Sequence, residues 1–508
     1  MRNSKSKIAF ATAFACVVLA TGYLSGSSQT GGYASRQAGS ASDSDDLSRL
    51  CQCLARFGPP APVLDPAVLP VDVSLEDNTK CKYNAECPDP NGCCQPCFDC
   101  YGWQLFVALN WPAKSGGEAD QGRPFGEPGD FSNVVWQSYK NAFEVFGGSQ
   151  PTAWGTNKPL DLQLNSAVIE NVFLKADLQS DHNWLTDQDG EVVRYDIRIN
   201  RDEFEYIMKN DVWHKAGVLK AVTTGPGIIL PSQKSEYGDV GAMEVKAAWR
   251  VIPAARRDYF EQNYKVAHAR VYYPERRSWE DRDVALVGIH IIKKTPHSPQ
   301  WVWATFEHKD NAPVQGDPGR GRTWNFFNPG APADYKPNYD SPPKSTRLRN
   351  MPVQVVRVKQ PSSDDGDTVR INDAVHKMIA ARFPRSVWRN YDLISVQWPR
   401  DPDNPKPDPK SQKALPSGQP RPRILANTTM ETYQQTTNSG GAAGLSPGPN
   451  LDQGPEKDIK DEDRGKSSCI ACHRISAVTP NFGKLSTDKK GWRTDYSTLF
   501  FKAELKKP

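Results

Sequence analysis

Histidine is scarce in this chain, with eight in 508 residues, and long apolar runs are scarcer still. Beyond residue 24 no segment could span a membrane, and only 38% of residues are hydrophobic, which excludes an integral membrane body. A net charge of +4 over so long a chain argues against a dedicated nucleic-acid binder, which would carry a strongly basic domain. No unit recurs at a fixed period, so a propeller or solenoid has no support. What is plentiful is loop chemistry and sulfur: 37 Gly, 42 Pro and 11 Cys. At ~150 residues per domain the length suggests about three domains, or fewer if one is a large β-rich unit.

The start of the chain fixes the compartment in which that sulfur works. Arg2, Lys5 and Lys7 precede an uncharged apolar run, Ile8–Leu24, and small polar residues follow. This is the layout of a secretory signal peptide over residues 1–26, and it predicts an exported, periplasmic protein. An uncleaved run would instead leave an N-terminal membrane anchor. Residues 27–48 are rich in Ser, Gly and Asp and read as a tether.

Residues 49–100 are Cys-rich, residues 101–400 form a β-rich large domain, and 401–422 a Pro-rich linker or long loop. Strands are expected at Val192–Ile199, Met243–Ile252, Tyr264–Tyr273, Val284–Ile292, Trp301–His308 and Pro352–Lys359. Asn200 with Glu203 predicts a capped helix through Lys209, and another is expected over Ile371–Arg382. Thr428 with Glu431 carries a second capping-box signature, opening a short helix. Together these predict an α+β fold with a β-rich large domain, a disulfide-stapled N-terminal region and a C-terminal segment, 423–508, packing on the large domain.

Chemistry concentrates in that last segment, at Cys469-Ile470-Ala471-Cys472-His473. In an exported protein C-x-x-C-H is the attachment sequence for haem c. Two thiols three residues apart can each add to one vinyl group, and the adjacent His then lies beneath the iron. A thioredoxin-like C-x-x-C wants a strand just before it, whereas DEDRGKSS precedes this one. One covalent haem is therefore expected on Cys469, Cys472 and His473. No Met or His follows His473, so a sixth iron ligand must come from upstream. Met430 is the first choice as metal ligand, with His268, His290, His297, His308 and His376, or an open iron, as rivals. Each candidate also has a bland reading: Met430 as a buried helix residue, the histidines as satisfied members of a sheet. Met243 shares a strand face with Val245, Ala247 and Trp249 and reads as core.

Eight cysteines lie between Cys51 and Cys100, and in an oxidising compartment they read as disulfides, in any of ~105 pairings. Cys93, Cys94, Cys97 and Cys100 also have metal-site spacing, though without a histidine. Cys51 and Cys53 stand too close to pair with each other, so each is expected to bond into the later group. From Arg464 to Pro508 ten basic residues face three acidic ones, whereas Asp452–Asp463 holds six acids and two lysines. A basic rim around a haem suits an acidic redox partner protein; a solvated tail is the plain alternative. The alternating Glu244, Lys246 and Arg250, and Glu307 with Trp303 and Thr305, fit either a cleft lining or an internally paired sheet face.

Several segments resemble large exported bacterial proteins of the cytochrome c family: CYGWQLFVALNWPA (100–113), YDIRINRDEFEYI (195–207), MEVKAAWRVI (243–252), VGIHIIKKTPHSPQWVWATFEHKDNAP (287–313), NFFNP (325–329), LANTTMETYQQ (425–435) and SSCIACH (467–473). The resemblance implies one covalent haem on Cys469, Cys472 and His473 and a role in electron transfer, and it carries over no substrate or catalytic residue. A monohaem electron carrier is thus the expected function. A haem enzyme or gas sensor with an open distal side, and a binding module with an accessory haem, are the competing expectations.

Overall fold

The structure is a computed structural model. It describes residues 47–48, 51, 62–73, 90–155, 162–164, 185–273, 276, 278–332, 337–338, 353–358, 367–403, 406–422, 424–435, 468–478 and 491–504, with backbone only for 90–94, 162–164, 434 and 504. The signal segment, the tether up to residue 46, Cys53, Cys81, Cys87 and the acidic stretch Asp452–Asp463 lie outside the described residues.

The fold is α+β and β-rich. One large sheet takes β1 (Lys140–Asn141), β2 (Leu162–Leu164), β3 (Arg194–Ile199), β4 (Met243–Val251), β5 (Val266–Tyr273), β6 (Ser278–Thr295), β7 (Ser298–His308), β8 (Tyr391–Pro399) and β9 (Pro420–Arg421). Its main path runs β1-β3-β4-β6-β7-β8-β9, antiparallel throughout, and β2 adds in parallel to β5. The long β6 organises the rest. β4 follows one edge, while the other edge pairs first with β5 and then with β7. Its run Val284–Ile292 is buried on both faces, which is why it reads as near-continuous apolar sequence rather than an alternation.

One face of the sheet is covered by α1 (Pro90–Leu109) and, across it, by α5 (Asp367–Arg382), while α4 (Arg257–Asn263) leads into β5. Phe98 stacks on Trp398 at 4.5 Å, and Trp103 meets Phe306 edge-on at 5.0 Å while donating to Asn372 Oδ1 at 2.9 Å. Gly102 allows this close approach, because a Cβ there would overlap Val396 Cγ2. Met243, Val245, Ala247 and Trp249 enter the same core, as their shared strand face predicts. Cys51 bonds to Cys100 on α1, and Cys97 is also in a disulfide, so the N-terminal region is stapled to the core helix.

The opposite face receives α2 (Arg201–Lys209), α3 (Lys215–Thr223) and the C-terminal residues Ile470, Val478, Tyr496, Leu499 and Phe500, packed on Ile197, Ile199, Ile292, Trp301 and Trp303. Burial of each such large side chain contributes ~1.5–3 kcal/mol. Residues 406–422 run beside this segment: Leu415 N donates to Arg474 O at 2.9 Å, and Arg493 Nε donates to Lys413 O at 2.6 Å. No helix among the described residues is long and apolar enough to cross a membrane.

Two expectations need correction. Pro352–Lys359 is not a sheet strand over its described residues 353–358. Its amides go to loops instead, Val353 to Thr186 O, Val355 to Phe326 O and Arg357 to Pro313 O, with one parallel bridge between Arg357 and Val314. Conversely β8 was not expected from the sequence. Its Leu393, Ile394, Val396 and Trp398 are buried on both faces, and a bulge opposite Thr305/Phe306 breaks the alternation.

Candidate functional site

The C-x-x-C-H residues form one short helix, α6 (Cys469–His473). Ser468 caps it, accepting from Ala471 N at 3.3 Å, and Gln397 on β8 docks it to the sheet by accepting from Ile470 N at 2.9 Å. The same Gln397 donates to Pro422 O at 2.7 Å, which ties α6 and the residue just after β9 to one side chain. Ile470 and Ala471 point into the core, so Cys472 is exposed and Cys469 half-buried. Both carry thiols rather than a disulfide. Burial, then the nearby charge of Glu431, pushes the Cys469 thiol well up, so it stays protonated.

His473 is oriented by backbone. Its Nδ1 donates to Tyr496 O at 2.8 Å, which leaves Nε2 as the acceptor nitrogen. Asp495 and Tyr496 are consecutive non-glycine residues in the left-handed region, at φ 53 and 67. That is a sparsely populated conformation for either residue, held by its surroundings. Asp495 pairs with Lys294 and accepts from Leu230 N at 2.7 Å, and its carbonyl accepts from Trp301 Nε1 at 3.1 Å. The His473 ring also lies 4.4 Å from the Trp303 ring. Burial lowers the His473 pKa to about 4, so the imidazole is neutral near pH 7 with its Nε2 lone pair available.

The sheet under α6 is polar. His290 on β6 pairs in register with Lys246 on β4 and with Thr305 on β7, and Ile292 pairs with Trp303. Lys246, His290, Thr305 and Trp303 therefore share one face. The charges of Lys246, His290 and Glu431 all bear on His473. Glu431 comes from the 424–435 segment, where the expected capping box at Thr428 gives way to one centred a residue earlier. Asn427 Oδ1 accepts from Thr429 N at 2.8 Å and Glu431 Oε2 accepts from Asn427 N at 2.8 Å. The result is a turn followed by a single 3-10 turn, Thr432–Gln434, because the segment is fastened to the sheet by Asn427 Nδ2 donating to Thr305 Oγ1 at 2.9 Å. Burial would raise the Glu431 carboxyl, but neighbouring His290 and Lys246 and the Asn427 amide together hold it below the usual carboxylate range.

Gly288 makes room for this turn. A Cβ there would overlap Thr429 Oγ1 and press on Asn427. Gly288→Ala is expected to destabilise the protein by about 1–3 kcal/mol in urea titration. A stability within ~0.5 kcal/mol of the parent would mean that the turn does not need the space.

The described histidines differ in what they have left to offer. Exposed His268 pairs with the partly buried Asp283 at 2.7 Å, and His297 with Asp72 at 2.5 Å. His308 accepts from Asp310 N at 3.1 Å and donates to Asn263 O at 3.1 Å, while His376 donates to Tyr391 O at 2.8 Å. His290 Nε2 is buried and makes no hydrogen bond; its nearest charged neighbour is Glu431 Oε2 at 3.5 Å. Met430 is buried among Val353, Val355, Phe326 and Val287, a cluster separate from the one that holds Cys469, Ile470 and Trp303. The structure thus brings together Cys469, Cys472, His473, His290, Lys246 and Glu431, with the Met430 side chain packed elsewhere. Lys246 and His290 reach the site through strand register, and Tyr496 through a carbonyl, so only Cys469, Cys472 and His473 announce it by spacing.

No family model, curated protein or solved structure matches the chain.

Proposed function

We propose that this chain is an exported monohaem c-type electron-transfer protein, with haem joined covalently to Cys469 and Cys472 and His473 as the proximal ligand. The observation that carries the reading is the His473 Nδ1 hydrogen bond to the Tyr496 carbonyl. A metal-ligating histidine characteristically gives its other ring N–H to such an acceptor, which fixes the tautomer and makes the ligating nitrogen more basic. The thiols present on α6 fit the same group, since each S–H can add across one vinyl double bond with no change of oxidation state. When bound, haem supplies one-electron chemistry at iron. This chain's residues bind it, hold His473 through the Asp495–Tyr496 turn, and surround that imidazole with Trp303 and the polar sheet face.

The N-terminal Arg2, Lys5 and Lys7 with the apolar run after them support the export part of this reading. The basic residues between Arg464 and Pro508 fit an acidic redox partner. In cells that carry the cytochrome maturation apparatus, the purified protein is expected to gain ~616 Da and to keep its haem through denaturing gel and acid–acetone extraction. Cys469→Ser/Cys472→Ser is expected to lose all covalent haem. A full-length product with no mass gain, or haem that extracts completely, would overturn the proposal.

A further inference from the structure

We infer that His290 is the second axial ligand of the iron, so that the haem is held between two imidazoles. The inference rests on the covalent-haem reading above and deepens it. Its first support is an orphaned atom. His290 is 6% exposed, and its Nε2 is buried without a hydrogen bond. A buried imidazole nitrogen in that condition costs ~1–3 kcal/mol unless something binds it. Its one charged contact, Glu431 Oε2 at 3.5 Å, is an ion-pair distance longer than an ordinary N–H···O hydrogen bond.

The second support is placement. His290 lies on the sheet face under α6, one register step from Trp303, whose ring touches the His473 ring at 4.4 Å. The third support is what the other candidates are doing. His214, His268, His297, His308 and His376 each engage a partner of their own, and the Met430 thioether is buried among Val353, Val355 and Phe326. A strand position is moreover a rigid mount, whereas Met430 sits in a turn.

The test begins with the unaltered haem-loaded protein. A two-imidazole iron is expected to be low-spin in both oxidation states and to lack the weak ~695 nm band of an iron–thioether bond. In His290→Ala the covalent mass gain is expected to persist, while the ferric spectrum turns high-spin and the ferrous form takes up CO. Added imidazole is expected to restore the low-spin spectrum, which a merely structural role would not allow. If His290→Ala fails to fold, the ~695 nm region of the parent and its loss or survival in Met430→Ala still decide the matter. A ~695 nm band in the parent, or a low-spin spectrum unchanged by His290→Ala, would overturn the inference with the haem reading intact. A five-coordinate parent would overturn it equally and favour the enzyme or sensor reading. Absence of covalent haem would overturn both.

Discussion

Glu307→Ala is expected to destabilise the protein by ~3–5 kcal/mol, because it leaves a buried guanidinium unpaired. Glu307 is 1% exposed and its carboxylate is fully engaged. Oε1 accepts from Arg357 Nη1 at 2.9 Å and from Thr428 N at 2.7 Å. Oε2 accepts from Arg357 Nη2 at 2.6 Å and from Thr428 Oγ1. The fork-to-fork geometry is the strong form of this interaction, and its charges face no competing water. Removing the carboxylate alone strands Arg357 and releases the backbone of Thr428, so the 427–431 turn that delivers Glu431 should loosen as well. Glu307→Met/Arg357→Met removes both charges and is expected to recover much of the loss, since the desolvation of the pair disappears with it. Urea midpoints of the parent and the two variants decide this. A Glu307→Ala cost below ~1 kcal/mol would mean that the pair is solvated.

How much of this was legible in the sequence depends on how local the information is. β3, β4, β5 and β7 emerged near their observed bounds because their burial patterns are carried by consecutive residues, and so did the helix that Asn200 caps by accepting from Glu203 N at 3.2 Å, whereas β6 was expected only over Val284–Ile292 because its first six residues are mostly polar and partly exposed. Pro352–Lys359 has the composition of a strand, but Thr186, Phe326 and Pro313 compete for its amides, and nothing within the segment reveals that. Thr428-x-x-Glu431 misled by one residue because Asn427, also a good cap, is held at the same time by Thr305. At the site, a five-residue motif states its own chemistry, whereas the partners of His473 do not. The Tyr496 carbonyl is a backbone group with no signature of its own. Lys246 and His290 become neighbours only through the β4–β6 register, which a one-residue slip would undo.

Replacing a buried carboxyl pair beside this turn should change how stability depends on pH. Glu203, at the start of α2, is expected from sequence to reach back to the Asn200 amide. That amide donates instead to Met243 O at 3.0 Å, and the Glu203 carboxyl turns inward, buried beside Glu244 on β4, where neither of its oxygens finds a hydrogen bond. Both are buried, with Asp495, Lys294, Lys246 and Ser497 as the surrounding charged and polar groups. Burial raises both acids, then the Glu244 charge raises Glu203 further; Glu244 is pushed up to about 7. A carboxyl raised on folding stabilises the native state fully below its unfolded pKa of ~4.5, and that contribution is lost as pH rises through the folded value. His308, pushed down to about 3 by burial, acts in the opposite sense across part of the same range, so the difference between proteins is the informative quantity. Relative to the parent, Glu203→Gln/Glu244→Gln is expected to gain on the order of 3 kcal/mol between pH 4.5 and pH 8, read from urea midpoints. A difference independent of pH would mean that neither carboxyl holds its proton. Because Ser497 bonds Glu244 and neighbours Tyr496, ionising the pair should also disturb the carbonyl that orients His473. In the haem-loaded form proposed above, a spectrum that shifts with the same pH midpoint in the parent, and stays fixed in the double variant, is the expected sign of that link.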